Sequence, residues 1–507
     1  MLPFCIFTIM KRVTVQLIFF LFLPVILGAQ EFDFNSDCKE AYREIVSLRF
    51  DHGKTLIGKE KSIHPDNQMT LVLENYIDFL QLFISEDRQL FEINENNKDL
   101  RINRIEENPS LSPEYLWSMA AIHLQWAFVR LKFGENYTAA LELRKAFLLL
   151  EENNKKFPSY LPDKLLLGLL HALVGTIPDE YQWLIRLASM HGSVNQGVAE
   201  MEQVVRDCRK TDEFAYLYEE ALFYLGFAKL NLLANPEDSI SILTDLATAD
   251  QSNLLITYLK TNIEMRIGHN EVALSTLNSR PSGNEYFPFD YLDYLKAEAM
   301  LRKLDFGAKV FYQQFILSFK GINYRQDAIR KLAWITLLEG DTKAYSEWMT
   351  LVPGQENGSV EADKQAVNEA VSVEIPDVQL LKSRLLFDGG YYAESMKVLE
   401  DSRQFLSTRN ENFKLEFYYR LGRVHHVLRN FSEAMLNYQI VIESGKKSKL
   451  YYPANAALKS GEICEISNRK EEAVSFYKLC LSMQPSEYKS GIHQKAKAGL
   501  SRLTSDN

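Results

Sequence analysis

The side chains able to do chemistry in this sequence are few and scattered. His425-His426 is the one adjacent histidine pair among nine histidines. Neighbours on a helix point about 100° apart, so the two imidazoles cannot easily close on one ion. One is expected to pack within its hairpin and the other, His426, to face a groove. His123, His171 and His191 have no His, Cys or acidic residue three or four places on, the spacing that would set two ligands on one helical face. They read as packing or solvated histidines. Cys464 and Cys480 fall on the inward faces of two neighbouring helices, where they could bond or serve as small core residues. Glu151-Glu152 and Glu471-Glu472 sit at helix ends and read as solvated or capping groups.

The stretch FDHGKTL looks like a phosphate loop, but the glycine needed five residues before Gly53 is replaced by Leu48. No GxSxG occurs, and spacing nominates no Ser/His/Asp set. The sequence therefore implies no catalytic residue, no metal and no cofactor. An enzyme would need a site assembled from residues distant along the chain.

The positioning elements are more legible. In FYYRLGRVHHVLRNFSEAMLNYQIVIES, Phe417, Leu421, Val424 and Leu428 form one helical face. Asn430, with Glu433 three residues on, suits the start of a second helix carrying Met435, Tyr438 and Ile442 on one side. Gly422, Ala434 and Tyr438 are spaced by 12 and 4, and Gly461, Ala473 and Tyr477 repeat that spacing before Pro485. A small residue in each helix lets two backbones approach, an aromatic fills the space beside them, and proline ends the second helix. This pattern resembles the tetratricopeptide repeat. The copies lie 39 residues apart, so SGKKSKLYYP carries an insertion.

Weaker copies run upstream, at Ser383, Ser395, Leu399 and Ser402; at Ala308, Tyr312 and Phe315; at Gly268, Ala273 and Leu277; at Tyr224-Leu225-Gly226; and at Gly134, Tyr137 and Ala140. Single hairpins of this kind cannot bury their faces alone and must stack. The expected fold is all-α, a tetratricopeptide-like αα-hairpin solenoid forming a right-handed superhelix, in one or two arrays. The aromatic-free segment PGQENGSVEADKQAVNEAVSVEIP reads as a polar linker or insertion with a short polar helix at its middle. The organisation is then a signal peptide at 1–29, an N-terminal array at 30–352, the linker at 353–376 and a C-terminal array at 377–507.

Composition narrows the function. The chain has 507 residues, 46% hydrophobic and 24% charged, with formal charge −10. Those values suit a folded protein and disfavour sequence-independent nucleic-acid binding, which needs a basic face. The basic pair Lys11-Arg12, the uncharged run from Val13 to Gln30 and the small residues Gly28-Ala29 have the form of a secretory signal peptide, with Met1 or Met10 as the start. Its removal takes away two positive charges and no acid, leaving about −12. The uncharged run Leu165 to Pro178 is 14 residues long and glycine-interrupted, too short for a bilayer span. It reads as a buried helix, so no membrane span is expected in the mature chain.

That run, LLLGLLHALVGTIP, is followed by YQWLIRLASM and HGSVNQGVAEMEQV. The order is similar to the core of the tetratricopeptide-like inclusion-body-clearance family. YLDYLKAEAMLRKLDFGAKVFYQQF and VQLLKSRLLFDGGYYAESMKVL look like its C-terminal repeats. In eukaryotes that family is linked to organelle membranes and protein aggregates, and the resemblance implies no catalysis. The signal peptide departs from that setting. The chain is also similar to exported tetratricopeptide proteins of Bacteroidetes-type bacteria.

The expected function is an exported, periplasmic or envelope-associated scaffold binding protein or peptide partners along its groove. The hairpin register places Tyr419, Arg423 and His426 in that groove, then Leu458, Glu462 and Glu465. The Lys/Asn pairs that would clamp a C-terminal carboxylate are missing there. The alternative is an outer-membrane capture protein for glycans or peptides, which requires exposed aromatics; buried Trp117, Trp126 and Trp183 would speak against it.

Overall fold

The computed structural model describes residues 32–176, 190–233, 236–372 and 374–504. The signal-peptide segment and Trp183 lie outside them. Among the described residues there are helices, turns and loops, and no strand. The first part holds α1 (Ser36–Val46), α2 (Phe50–Ile63), α3 (Met69–Ser85), α4 (Arg88–Asn94), α5 (Asn97–Glu106), α6 (Pro113–Lys132), α7 (Asn136–Lys156) and α8 (Leu161–Val174). Next come α9 (Val194–Cys208), α10 (Tyr218–Asn231), α11 (Leu243–Leu246), α12 (Leu254–Arg266), α13 (Asn270–Asn278), α14 (Tyr291–Arg302), α15 (Ala308–Ser318), α16 (Arg325–Leu338) and α17 (Thr342–Thr350). The rest is α18 (Glu361–Val371), α19 (Val378–Asp388), α20 (Tyr392–Ser402), α21 (Glu411–Val427), α22 (Phe431–Ser444), α23 (Tyr452–Ile466), α24 (Lys470–Ser482) and α25 (Lys489–Thr504).

Most of these helices pack as hairpin neighbours: α6 with α7, α8 with α9, α12 with α13, α14 with α15, α16 with α17, α19 with α20, α21 with α22, and α23 with α24. The architecture is the expected all-α hairpin solenoid. Its internal contact is the one the spacing implied. A Cβ on Gly422 would stand 2.7 Å from the Tyr438 ring, and one on Gly461 would stand 2.5 Å from the Tyr477 ring. Both tyrosines are fully buried. In the α19/α20 hairpin two serines replace the small apolar pair, and their hydroxyls meet at 2.9 Å in the core. Ala308, Tyr312 and Phe315 are likewise buried in α15. One upstream copy is out of register. Tyr137 is 80% exposed and Ala140 is exposed, while Ala139 packs inward, because α7 enters its hairpin one residue earlier than the Gly134 spacing suggests.

FDHGKTL lies within α2, with Gly53 against Ile45, so it forms no phosphate loop. LLLGLLHALV is the buried helix α8. Gly168 on α8 faces Gly197 on α9 so closely that a Cβ on Gly197 would overlap the Gly168 carbonyl oxygen. No helix among the described residues is long and apolar enough to cross a membrane.

The 353–376 segment was expected as a polar linker or insertion. Its middle is the helix α18, and that helix is docked, not free. Asp363 is fully buried and accepts the backbone N–H groups of Tyr324 at 2.6 Å and Asp327 at 2.9 Å, capping α16 from another element. Glu369 accepts from Trp334 Nε1 at 2.7 Å and from the Tyr345 hydroxyl at 3.1 Å. Low aromatic content did not mean low order here, because the segment supplies acceptors to aromatic donors on α16 and α17.

The apolar core runs continuously from Phe32 to Leu385 in α19, and smaller clusters follow in α19–α21 and α21–α25. Two hairpin turns lock the α12/α13 pair against α19/α20. Gly268 (φ 80°) and Gly390 (φ 85°) both adopt left-handed backbone, and a Cβ on Gly390 would overlap the Gly268 carbonyl oxygen. Tyr391 completes the lock, its hydroxyl donating to Glu271 at 2.6 Å and accepting from Asn270 Nδ2 at 3.0 Å. Gly390→Ala combines the left-handed penalty of about 1–2 kcal/mol with a backbone clash. It is expected to lower unfolding stability by at least about 2 kcal/mol in urea melts, more than the same change at Gly58, where the added methyl meets nothing.

Candidate functional site

The first helices of the last hairpins, α19, α21 and α23, lie side by side with the final helix α25 and form one layer. Helices α22 and α24 pack behind it, bridging successive members. The open side of this layer carries a cluster of arginines set on aromatic rings. The Arg423 guanidinium lies 4.0 Å from the Phe387 ring centre, and that of Arg384 lies 5.0 Å from Trp334. Both contact Asp388, at 3.8 Å and 3.9 Å. Their side chains keep 28% and 32% of their accessibility, so they are immobilised without being lost from the surface. Tyr451 and Tyr488 flank them, edge to face at 4.9 Å.

The whole chain is acidic, yet this layer gathers Arg384, Arg423, Lys459 and Lys495. Burial and then the neighbouring Lys459 and Arg266 hold the Lys495 ammonium below its usual range. Lys495 sits on α25 and Arg266 on α12, so helices far apart in sequence come within electrostatic reach of each other. Burial tends to raise the Asp388 carboxyl, but Arg423, Arg384 and Arg302 outweigh it and hold it below its ordinary value.

The residues assigned to the groove from sequence divide. Arg423, His426, Glu462 and Glu465 are on this layer and partly exposed. Tyr419 and Leu458 are core residues, 1% and 2% exposed. The connection SGKKSKLYYP accounts for Tyr419. It delivers Tyr451 and Tyr452 against the Tyr419 ring at 5.7 and 5.1 Å, and Asn455 Nδ2 donates to its hydroxyl at 2.7 Å. Glu465 is held by Arg502 through two bonds of 2.8 and 2.9 Å and by the Tyr477 hydroxyl at 2.5 Å. Lys459 donates to Glu462 at 2.7 Å. Arg384, Asp388 and Lys495 were missed, because a repeat register read from two hairpins says nothing about the helices before and after them.

His426 lies 3.4 Å from the Tyr438 hydroxyl and edge to face with Phe431. Cys464 and Cys480 are free thiols with no exposure, which makes them small core residues. Trp117 and Trp126 are buried at 3% and 1%, against the exposed aromatics that a glycan-capture surface needs. The three histidines with no partner on their own helix do have partners in space. His123 and Lys98 both bond to the buried Glu142. His171, His191 and Glu151 place one ligand atom each within 4.8 Å of one another. Spacing along one helix could not reveal that group, since its members come from three elements.

The tetratricopeptide-repeat family model matches residues 454–487, which cover α23 and α24. No curated protein matches the sequence. Among solved structures, the chain is similar to one from the crystal structure of an APC/C hetero-tetramer, Cut9-Hcn1, at 11% identity and a TM-score of 0.23, over 93% of this chain and 96% of that one. At that score the likeness adds nothing to a fold that rests on the hairpin contacts.

Burial, then the neighbouring Lys459, pushes the His426 imidazole down to about 4 from 6.5. The folded chain therefore binds fewer protons than the unfolded chain between those values. Its contribution to stability is complete above 6.5 and is lost as pH falls through the window. Thermal melts at pH 7 and pH 5 should show His426→Gln losing less on acidification than the unaltered chain, by on the order of 1 kcal/mol. The segment 454–487 is thus a match to the tetratricopeptide repeat, set among hairpins built on the same small-residue contact.

Proposed function

We propose that this protein is an exported, non-catalytic interaction scaffold of the bacterial cell envelope, and that its α19–α25 layer takes an acidic segment of a partner protein. Solenoids of this kind present a layer of first helices to their partners. The observation that carries the charge preference is the ring-mounted pair Arg384 and Arg423, partly exposed on the layer that also carries Lys459 and Lys495. Guanidinium groups fixed on aromatic rings lose little entropy on binding carboxylates and can engage them bidentately. Export rests on the signal-peptide pattern at 1–29.

The double variant Arg384→Glu/Arg423→Glu reverses the charge of the layer without removing core atoms. Partners captured by the unaltered chain from an envelope fraction should be lost with the variant and weakened by raised salt, while helical circular dichroism shows that the variant is folded at the assay temperature. Retention of the same partners by a folded variant refutes the proposed face. Tyr419→Ala is unsuited to this test, since it would open a cavity among Tyr438, Tyr451 and Tyr452. Export predicts a mature chain beginning at Gln30 in the envelope fraction by intact mass; a chain retaining Met1 or Met10 in the cytosol refutes it.

A further inference from the structure

We infer that Glu151, His171 and His191 form a binding site for a divalent transition-metal ion, with zinc as the best-matched class. The three come from the last turns of α7, from α8 and from the turn leading into α9. Their ligand atoms lie within 4.8 Å of one another, and His191 Nε2 is 3.7 Å from Glu151 Oε1. Two imidazoles and one carboxylate are a donor set that zinc takes in tetrahedral sites, with the fourth position left to water or another ligand. Ligand bonds of about 2.0–2.2 Å require the group to draw together by roughly an ångström. His191 is 64% exposed and Glu151 26% exposed, so both side chains have room to close on the more deeply buried His171.

His171 carries the second observation. Its side chain is 7% exposed. Nδ1 is engaged by Glu200 Oε2 at 2.6 Å, with Gln196 Nε2 3.1 Å away and donating to Glu200 Oε1 at 2.9 Å. Nε2 is buried and has no hydrogen-bond partner. A carboxylate on Nδ1 fixes that proton and leaves the Nε2 lone pair bare, which is the outer-sphere arrangement of metal-bound histidines. An unpartnered buried nitrogen costs free energy unless something occupies its lone pair, and a metal ion would.

The backbone holds the two rings together. Gly192 is in left-handed conformation at φ 155°, and a Cβ there would stand 2.5 Å from His171 Cα, so only glycine lets the chain cross His171 and set His191 beside it. The ring centres are 5.8 Å apart, and Phe147 packs its edge against both. The competing cation is Lys155, whose ammonium lies 3.5 Å from the other Glu151 oxygen and is itself 75% exposed, free to swing away. A bound ion would tie α7, α8 and the start of α9 to one point.

The test uses the whole purified chain, stripped with a chelator and titrated with zinc against a chromophoric competitor. Cobalt(II) serves as a second, spectroscopic probe. One zinc per chain is expected, with a rise in thermal midpoint and the intense visible bands of four-coordinate cobalt. His191→Ala and Glu151→Gln should each weaken binding at least about tenfold and abolish the thermal shift. Both change partly exposed side chains, so the variants should fold, and the metal-free midpoint checks that they do. His64→Ala, at the exposed histidine that ends α2 and pairs with Glu60 one turn back, should leave metal binding unchanged. Absence of saturable binding, or equal binding by His191→Ala and Glu151→Gln, overturns the site.

Discussion

Where α8 crosses α9, Gly168 and Gly197 bring two backbones so close that neither position admits a β-carbon without displacing its neighbour. The same constraint, a nearly atomless residue opposite a backbone or a ring, recurs at Gly422 with Tyr438, at Gly461 with Tyr477 and at the serine pair of α19/α20. Helix faces of this length bury too little alone to offset the entropy of ordering them. Close approach inside each hairpin maximises what is buried, and stacking buries the remainder. Every later feature, including the layer of first helices and the histidine group, inherits its geometry from that spacing.

The constraint also decides what was readable from the sequence. Small residues and aromatics at spacings of 12 and 4 repeat within a hairpin, so the helices, their pairing and the burial of α8 were legible. Contacts between hairpins leave no periodic trace. Asp363 capping α16, Gly390 against Gly268, and Tyr451 over Tyr419 all depend on which hairpins become neighbours. The docked character of 353–376 was missed for this reason. Its composition is polar because its task is to supply acceptors at Asp363 and Glu369, and polar composition by itself cannot distinguish a cap from a linker.

Site residues were half legible for a related reason. A repeat register fixes which way a side chain points from its helix, and it placed Arg423, His426, Glu462 and Glu465 on the layer. It does not say what the following connection lays over that side chain. The insertion SGKKSKLYYP buried Tyr419 and, in the same stroke, supplied Tyr451 to the arginine cluster. A departure from the repeat length thus removed one expected surface aromatic and created another beside Arg384.

Charge and ligand chemistry follow from this separation between local pattern and assembled surface. The chain is acidic overall, yet its α19–α25 layer gathers Arg384, Arg423, Lys459 and Lys495 from different helices, with Arg266 contributed by α12. Bulk charge bears on what approaches the whole molecule and says nothing about one face. The histidine group shows the same effect at smaller scale. Three residues separated by 20 positions each, Glu151, His171 and His191, share no helical register. They meet because α7, α8 and the α9 turn are pressed together, and the glycine that permits the pressing, Gly192, is the residue next to a ligand. In a solenoid, chemistry is thus expected where hairpins touch and where an atomless residue lets them.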